Sequence, residues 1–234
     1  MRAYKKHVET LSEISKAITS DLYLEDVLKL IVTLTANVMG AKICSLWLLE
    51  KDTGGLRIRA TQAMSERYLK ERTLEAGEGI VGLVAKSKKP KIVENVFKDK
   101  IFKEKKLAKE EGLVSMLSVP MMVKNSLIGV INLYTTESYK FSKGDILLLT
   151  AVANQAAVAI ENTELLIKTQ LAQAELDARK KIERAKGILM KEQNLDEDEA
   201  FRLMRNSSMD KRVSMKNIAE AIILSYDIRK SRKG

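Results

Sequence analysis

The chain has 234 residues, 41 of them Lys or Arg and 31 Asp or Glu, for a formal net charge of +10. That length suits one or two domains, and 45% hydrophobic residues with only two Pro and 11 Gly supply a core and argue against a low-complexity chain. A single Cys and a single His exclude an intramolecular disulfide and any zinc site that needs two such ligands from one chain, and a His-dependent triad could use only His7. The composition points to a reduced, cytosolic, non-enzymatic protein that needs no cofactor.

Met1 to Thr10 carries charges and no apolar run of the secretory kind. Further on, apolar residues recur at helical spacing from Val8 to Ile18 and from Leu24 to Val38, and Met39-Gly40 closes the second helix. A short apolar run from Ile43 to Leu49 turns at Asp52-Thr53-Gly54-Gly55 into Leu56 to Ala60, which predicts a hairpin. A second hairpin is predicted over Ser115 to Val123 and Leu127 to Tyr134, turning at Lys124-Asn125-Ser126. Helices flanking paired strands indicate an α+β unit.

Between the hairpins, Gly77-Glu78-Gly79-Ile80-Val81-Gly82 matches G-x-G-x-x-G. A dinucleotide loop of that form must follow a buried strand, which delivers the phosphates to a helix N-terminus. Tyr68 to Ala76 instead reads as a charged helix and loop, so the glycines are expected to start a plain helix from Ile80 to Lys86. Ile146 to Ile160 is the most apolar long stretch. Interrupted by Asn154 and Gln155 and shorter than the roughly 20 residues that span a bilayer, it is expected to be a buried helix of a soluble chain with no membrane partner.

The ordered series of patches resembles a GAF domain, a small sensory module. The carrying residues are Gly77 to Gly82, Lys91-Ile92-Val93-Glu94-Asn95-Val96, Ser115 to Pro120, Leu127 to Leu133, and Phe141 leading into Ala151 to Asn162. The resemblance implies a central antiparallel sheet with helices on both faces, often dimerisation through the terminal helices, and either a small-molecule or protein signal as input or no ligand at all. Cys44 lies inside a predicted strand, a poor match for a chromophore-attachment cysteine, and is expected in the core. Asn95 to Asp99 lacks the signature of cyclic-GMP-binding relatives, so no ligand is named.

From Ile167 the apolar positions run Leu171, Ala174, Ala178, Ile182, Ala185 and Leu189 with no Gly or Pro before Gly187. Their 4-3-4 steps approximate an 11-residue period, which favours nearly straight or slightly right-handed packing. The stripe either self-associates or, from Ile182 onward, packs on the chain's own C-terminal helices. Lys180 to Tyr226 predicts three short helices: the first ends near Gln193-Asn194, the second begins at a capping box formed by Asp196 and Glu199, and the third begins at Ser214.

Residues 168–234 hold 16 basic and 11 acidic residues, net +5, which leaves the same net charge to the first 167. Within the last third, Arg179 to Lys191 has six bases and one acid, Glu192 to Glu199 five acids and no base, and Arg202 to Lys216 five bases and one acid. At about 100° per residue, Lys180, Arg184, Gly187 and Lys191 share one helix face opposite Ile182, Ala185 and Leu189. Gly187 either admits a phosphate backbone to this face or makes room for a neighbouring helix.

This C-terminal pattern resembles an ANTAR domain, the RNA-binding antitermination module of bacterial regulators. It is carried by Ile182 to Met190, Glu199 to Arg205, Ser207-Ser208-Met209 and Ile218 to Ile223. The resemblance implies binding of paired stem-loops in a nascent leader transcript, by a cytoplasmic homodimer. It places Lys186 and Gly187 in the family's Ala-Lys-Gly motif and Arg205, Lys211 and Arg212 among its basic positions. Lys186 itself sits beside the apolar stripe, where it either snorkels outwards or pairs with an acid. The candidate RNA-binding residues are thus Lys180, Arg184, Lys186, Gly187, Lys191, Arg205, Lys211 and Arg212, with no catalytic or metal site. The expected layout is a GAF-like domain over 1–166, a coiled-coil-like connecting helix over 167–179, and an ANTAR-like three-helix domain with a basic tail over 180–234. A DNA-binding regulator is the alternative, disfavoured because the third helix has only Lys216 as a base between Ser214 and Tyr226.

Overall fold

The computed structural model describes residues 2–19, 23–62 and 73–231. They divide into two compact units, Met1–Glu164 and Leu165–Gly234. In the first, α1 (Arg2–Ile18) and α2 (Leu24–Met39) precede β1 (Ile43–Leu49) and β2 (Leu56–Thr61). A two-residue β3 (Thr73–Leu74), α3 (Gly79–Ser87), β4 (Lys91–Val93) and α4 (Lys105–Glu110) follow, then the long hairpin β5 (Ser115–Val123) and β6 (Ser126–Thr135). The strands form one sheet in the order β3-β2-β1-β6-β5-β4, antiparallel at each pairing.

Both sheet faces are covered, which explains why β1 reads as a continuous apolar run rather than an alternation. Cys44, Leu46, Leu117, Ile131 and Leu133 face α2 and the long helix α5 (Lys143–Gln193). Ala153, Ala156 and Ala157 of α5 are fully buried there. On the other face, Ile43, Trp47, Met116 and Val130 pack with Ile80, Val81 and Val84 of α3 and with Phe102 and Leu113. Within the sheet, the buried Ser118 hydroxyl donates to Asn132 Oδ1 at 2.6 Å, pairing two polar groups that burial would otherwise penalise.

Each glycine of the G-x-G-x-x-G run has a local structural reason. Gly77 and Gly79 adopt φ of 94° and 62°, and a Cβ on Gly82 would stand 2.5 Å from the Glu75 carbonyl oxygen. The segment expected as charged helix and loop is corrected in part. Thr73–Leu74 forms an edge strand paired with Leu56 and Arg57, too short to leave a periodic signature, while residues 68–72 of that expectation lie outside the described residues. The run therefore follows an antiparallel edge strand and not the central parallel strand that a dinucleotide loop requires.

Among the described residues, α5 is the helix long and apolar enough to cross a membrane by length and composition. Its Leu149, Val152, Ala153, Ala156, Ala157 and Ile160 are committed to the core against the sheet.

Two glycines should respond differently to alanine. A Cβ at Gly129 would lie 2.0 Å from the Trp47 carbonyl oxygen, so Gly129→Ala should cost about 3 kcal/mol through forced overpacking. Gly40 has open space around its Cβ direction and only its φ of 61° to answer for, so Gly40→Ala should cost about 1 kcal/mol. Equilibrium denaturation of both variants measures the difference. Burial pushes the Cys44 thiol far up from its ordinary value, so a thiol-specific reagent at pH 8 should react only as fast as the protein unfolds.

Candidate nucleic-acid interface

The second unit is built from the end of α5, α6 (Glu197–Lys211) and α7 (Met215–Ser231). Three local signals set the boundaries. Asn194 leaves α5 in the left-handed region at φ 54°. A reciprocal capping box starts α6: the Glu199 N–H donates to Asp196 Oδ1 at 2.7 Å, and the Asp196 N–H to Glu199 Oε2 at 2.9 Å. At the start of α7 the Asn217 N–H donates to the Ser214 hydroxyl at 3.2 Å. Ala185, Leu189, Ala200, Met204, Ile218 and Ala219 close the core, with Ile182 packed beside them. The connecting stripe is thus buried from Ile182 onward, whereas Ile167 and Leu171 are 52% and 61% exposed.

The eight candidate residues fall into different environments. Lys180, Lys191, Arg205, Lys211 and Arg212 are exposed. Arg212 caps α6 at a left-handed φ of 53°, and its N–H donates to the Met209 carbonyl at 3.2 Å. Arg184 is exposed but not free: its guanidinium donates to both Asp227 carboxylate oxygens, at 2.9 and 3.0 Å. Gly187 is exposed, and a Cβ there would meet nothing within 4 Å, so it makes no room for a helix among the described residues.

Lys186 stands apart. It is only 8% exposed, and its ammonium donates to Glu197 Oε1 at 2.7 Å and to Glu183 Oε1 at 3.1 Å. Of the two outcomes open for it, pairing with acids is the one adopted. The Glu197 and Glu183 hydrogen bonds hold its pKa above the ordinary lysine value. Because Glu197 opens α6, this buried cation ties the start of that helix to α5.

Other ion pairs, not anticipated from the sequence, bind α5 to α7. Lys181 donates to Glu220 at 2.6 Å and holds that carboxyl below the usual range, and Arg229 donates to Glu192 at 2.7 Å. The spacing of Glu220 and Asp227, two helical turns apart, is the signal that could have revealed α7 as a partner for the α5 bases.

Residues 23–160 match the GAF domain family and residues 170–223 the ANTAR domain family. The phosphoenolpyruvate-dependent phosphotransferase system of Escherichia coli (strain K12) is 28% identical over 155 residues, 66% of this chain and 21% of that protein. The transcriptional regulatory protein PdtaR of Mycobacterium tuberculosis (strain ATCC 25618 / H37Rv) is 40% identical over 48 residues, 20% of this chain and 23% of its own length. The chain therefore spans about a fifth of the length of these two relatives. In fold, it is similar to the GAF domain of a phosphoenolpyruvate-protein phosphotransferase from Coxiella burnetii, with a TM-score of 0.64 and 23% identity, over 70% of this chain and 98% of that one.

Removing the Lys186 charge takes away the tie between Glu183 of α5 and Glu197 of α6 and leaves a buried polar side chain with weaker partners. Lys186→Gln should lower the thermal midpoint of the full chain by several degrees, and Lys180→Gln should leave it unchanged; differential scanning calorimetry checks both. The sign of the pH dependence follows from the raised pKa. The clamp contributes in full below the ordinary lysine value of 10.5 and is lost as pH rises through the higher folded value.

Proposed function

Because the chain belongs to the GAF domain family through residues 23–160 and carries an ANTAR domain over 170–223, we propose that it is an RNA-binding transcription antitermination regulator. The helical unit binds paired stem-loops in a nascent leader transcript, and the bound RNA is kept from forming a terminator. The GAF domain takes a small-molecule or protein signal that controls this output, in the cytoplasm and without catalysis.

One observation carries the reading. Gly187 sits inside a helix, where glycine costs about 1 kcal/mol against alanine, and among the described residues nothing in the chain uses the space it leaves. It lies on the same helix face as Lys180, Arg184 and Lys191, so the body it admits is one that those cations attract. A phosphate backbone has that charge and needs that close an approach. Lys186, held by two carboxylates, serves by positioning α6 rather than by touching phosphate. Two stem-loops call for two helical units, and the exposed Ile167 and Leu171 of α5, on one face with Ala174 and Ala178, supply an apolar stripe for a homodimer. Dimerisation raises avidity through effective concentration. The duplex-DNA alternative fares worse because α7 has only Lys216 as a base up to Tyr226, leaving its exposed face little to hold a groove.

Equilibrium binding of the full chain to an RNA of two adjacent hairpins, with duplex DNA of matched length beside it, tests the reading. The RNA should bind more tightly and with a steep salt dependence. Lys180→Glu, Arg184→Glu and Lys191→Glu together should weaken it on the order of 100-fold and flatten the slope of log affinity against log salt by about 2 to 3. Equal affinity for both nucleic acids, or no effect of the triple variant, would rule the interface out.

A further inference from the structure

The helical unit has a concave feature that the charged stripe does not use. Residues of α5, α6 and α7 enclose a groove of about 510 Å3. Its floor is aliphatic, formed by Leu189, Leu203, Met204, Ile218 and Ile222. Met204 is fully buried while Leu203 is 40% exposed, so the floor rises from the core to open solvent.

Each of the three helices adds polar side chains to the lining. Lys211 stands on the α6 edge with no ion-pair partner among the described residues, in contrast to Arg229 opposite, which is held by Glu192. Glu192 gives its Oε2 to that pair and keeps a second carboxylate oxygen for another donor. The hydroxyls of Ser207 and Ser225 complete the edge.

Resting on the RNA-binding reading, we propose that this groove receives one unpaired base of an RNA loop. Loop bases are unstacked and present two apolar ring faces with a hydrogen-bonding edge, which matches an aliphatic floor inside a polar rim. Lys211 meets the adjoining phosphate. The Glu192 carboxylate accepts from an exocyclic amino group, which favours adenine, cytosine or guanine over uracil. An aliphatic side chain from a second copy would fit the floor but would desolvate Lys211 and both hydroxyls without replacing their hydrogen bonds.

The test needs an RNA whose loops are known to matter, so the full-length protein is first used to select binders from a pool of two-hairpin RNAs with randomised loops. Loop positions of the selected RNA are then replaced one at a time by abasic nucleotides. At one position, affinity for the wild-type protein should fall on the order of 10- to 100-fold. Ala221→Phe fills the groove from its exposed α7 wall, leaving the core residues in place. It should bind the intact RNA as weakly as wild type binds the abasic one, with the same salt slope, and should lose nothing further on the abasic RNA. A thermal melt confirms folding of the variant, and the abasic series on wild-type protein needs no variant at all.

The groove assignment is overturned if no abasic position weakens binding, or if Ala221→Phe binds intact RNA like wild type. It is equally overturned if Ala221→Phe alters only the oligomeric mass, because a second copy is then the occupant. Failure to select any binder overturns the RNA reading itself, a result distinct from the other three.

Discussion

One helix has to satisfy two cores. Leu149, Val152, Ala153, Ala156, Ala157 and Ile160 of α5 are buried against the sheet of the first unit, and Ala185 and Leu189 are buried among the short helices of the second. Everything else on α5 is arranged around these two obligations. Where it packs on the sheet, Ala153, Ala156 and Ala157 are fully buried together with Leu149, Val152 and Ile160. Where it packs on α6 and α7, one stripe is apolar and the rest of the circumference is free for charge. The basic face of the second unit exists because hydrophobic burial has taken the opposite side.

Counting charges overstates what this face presents. Of the bases between Arg179 and Lys191, Lys181, Arg184 and Lys186 are each paired with a carboxylate from α6, α7 or α5 itself. Such pairs on an exposed surface are individually weak, and an exposed Arg184 can trade Asp227 for a phosphate. Lys186 is less free to do so, since its side chain is buried and it donates to two acids at once. The same residue type is therefore held in place at Lys186 and left exposed at Lys180 and Lys191, and burial makes the distinction.

Much of the fold was legible because its signals are local. Both hairpins, α2 with its Gly40 stop, and the Asp196–Glu199 capping box lie where residue pattern and turn chemistry place them. The short elements escaped. β3 has two residues, β4 three and α4 six, none long enough to express a period, and the first two exist only because β2 and β5 offer free edges. In the helical unit, the basic face was legible from a helical wheel. The acids that pair with it were not, because Glu220 and Asp227 are about forty residues away in the chain and meet α5 only after the three helices close.

By itself the sequence determined the two kinds of unit, the glycine stops and the side of α5 that carries charge, since each depends on neighbours within a few turns. The tertiary structure decided which of those charges remain available, that Gly187 faces open space, and that three helices leave an aliphatic groove with a polar rim. Those outcomes depend on distances between elements remote in the chain, which a pattern of adjacent residues does not contain.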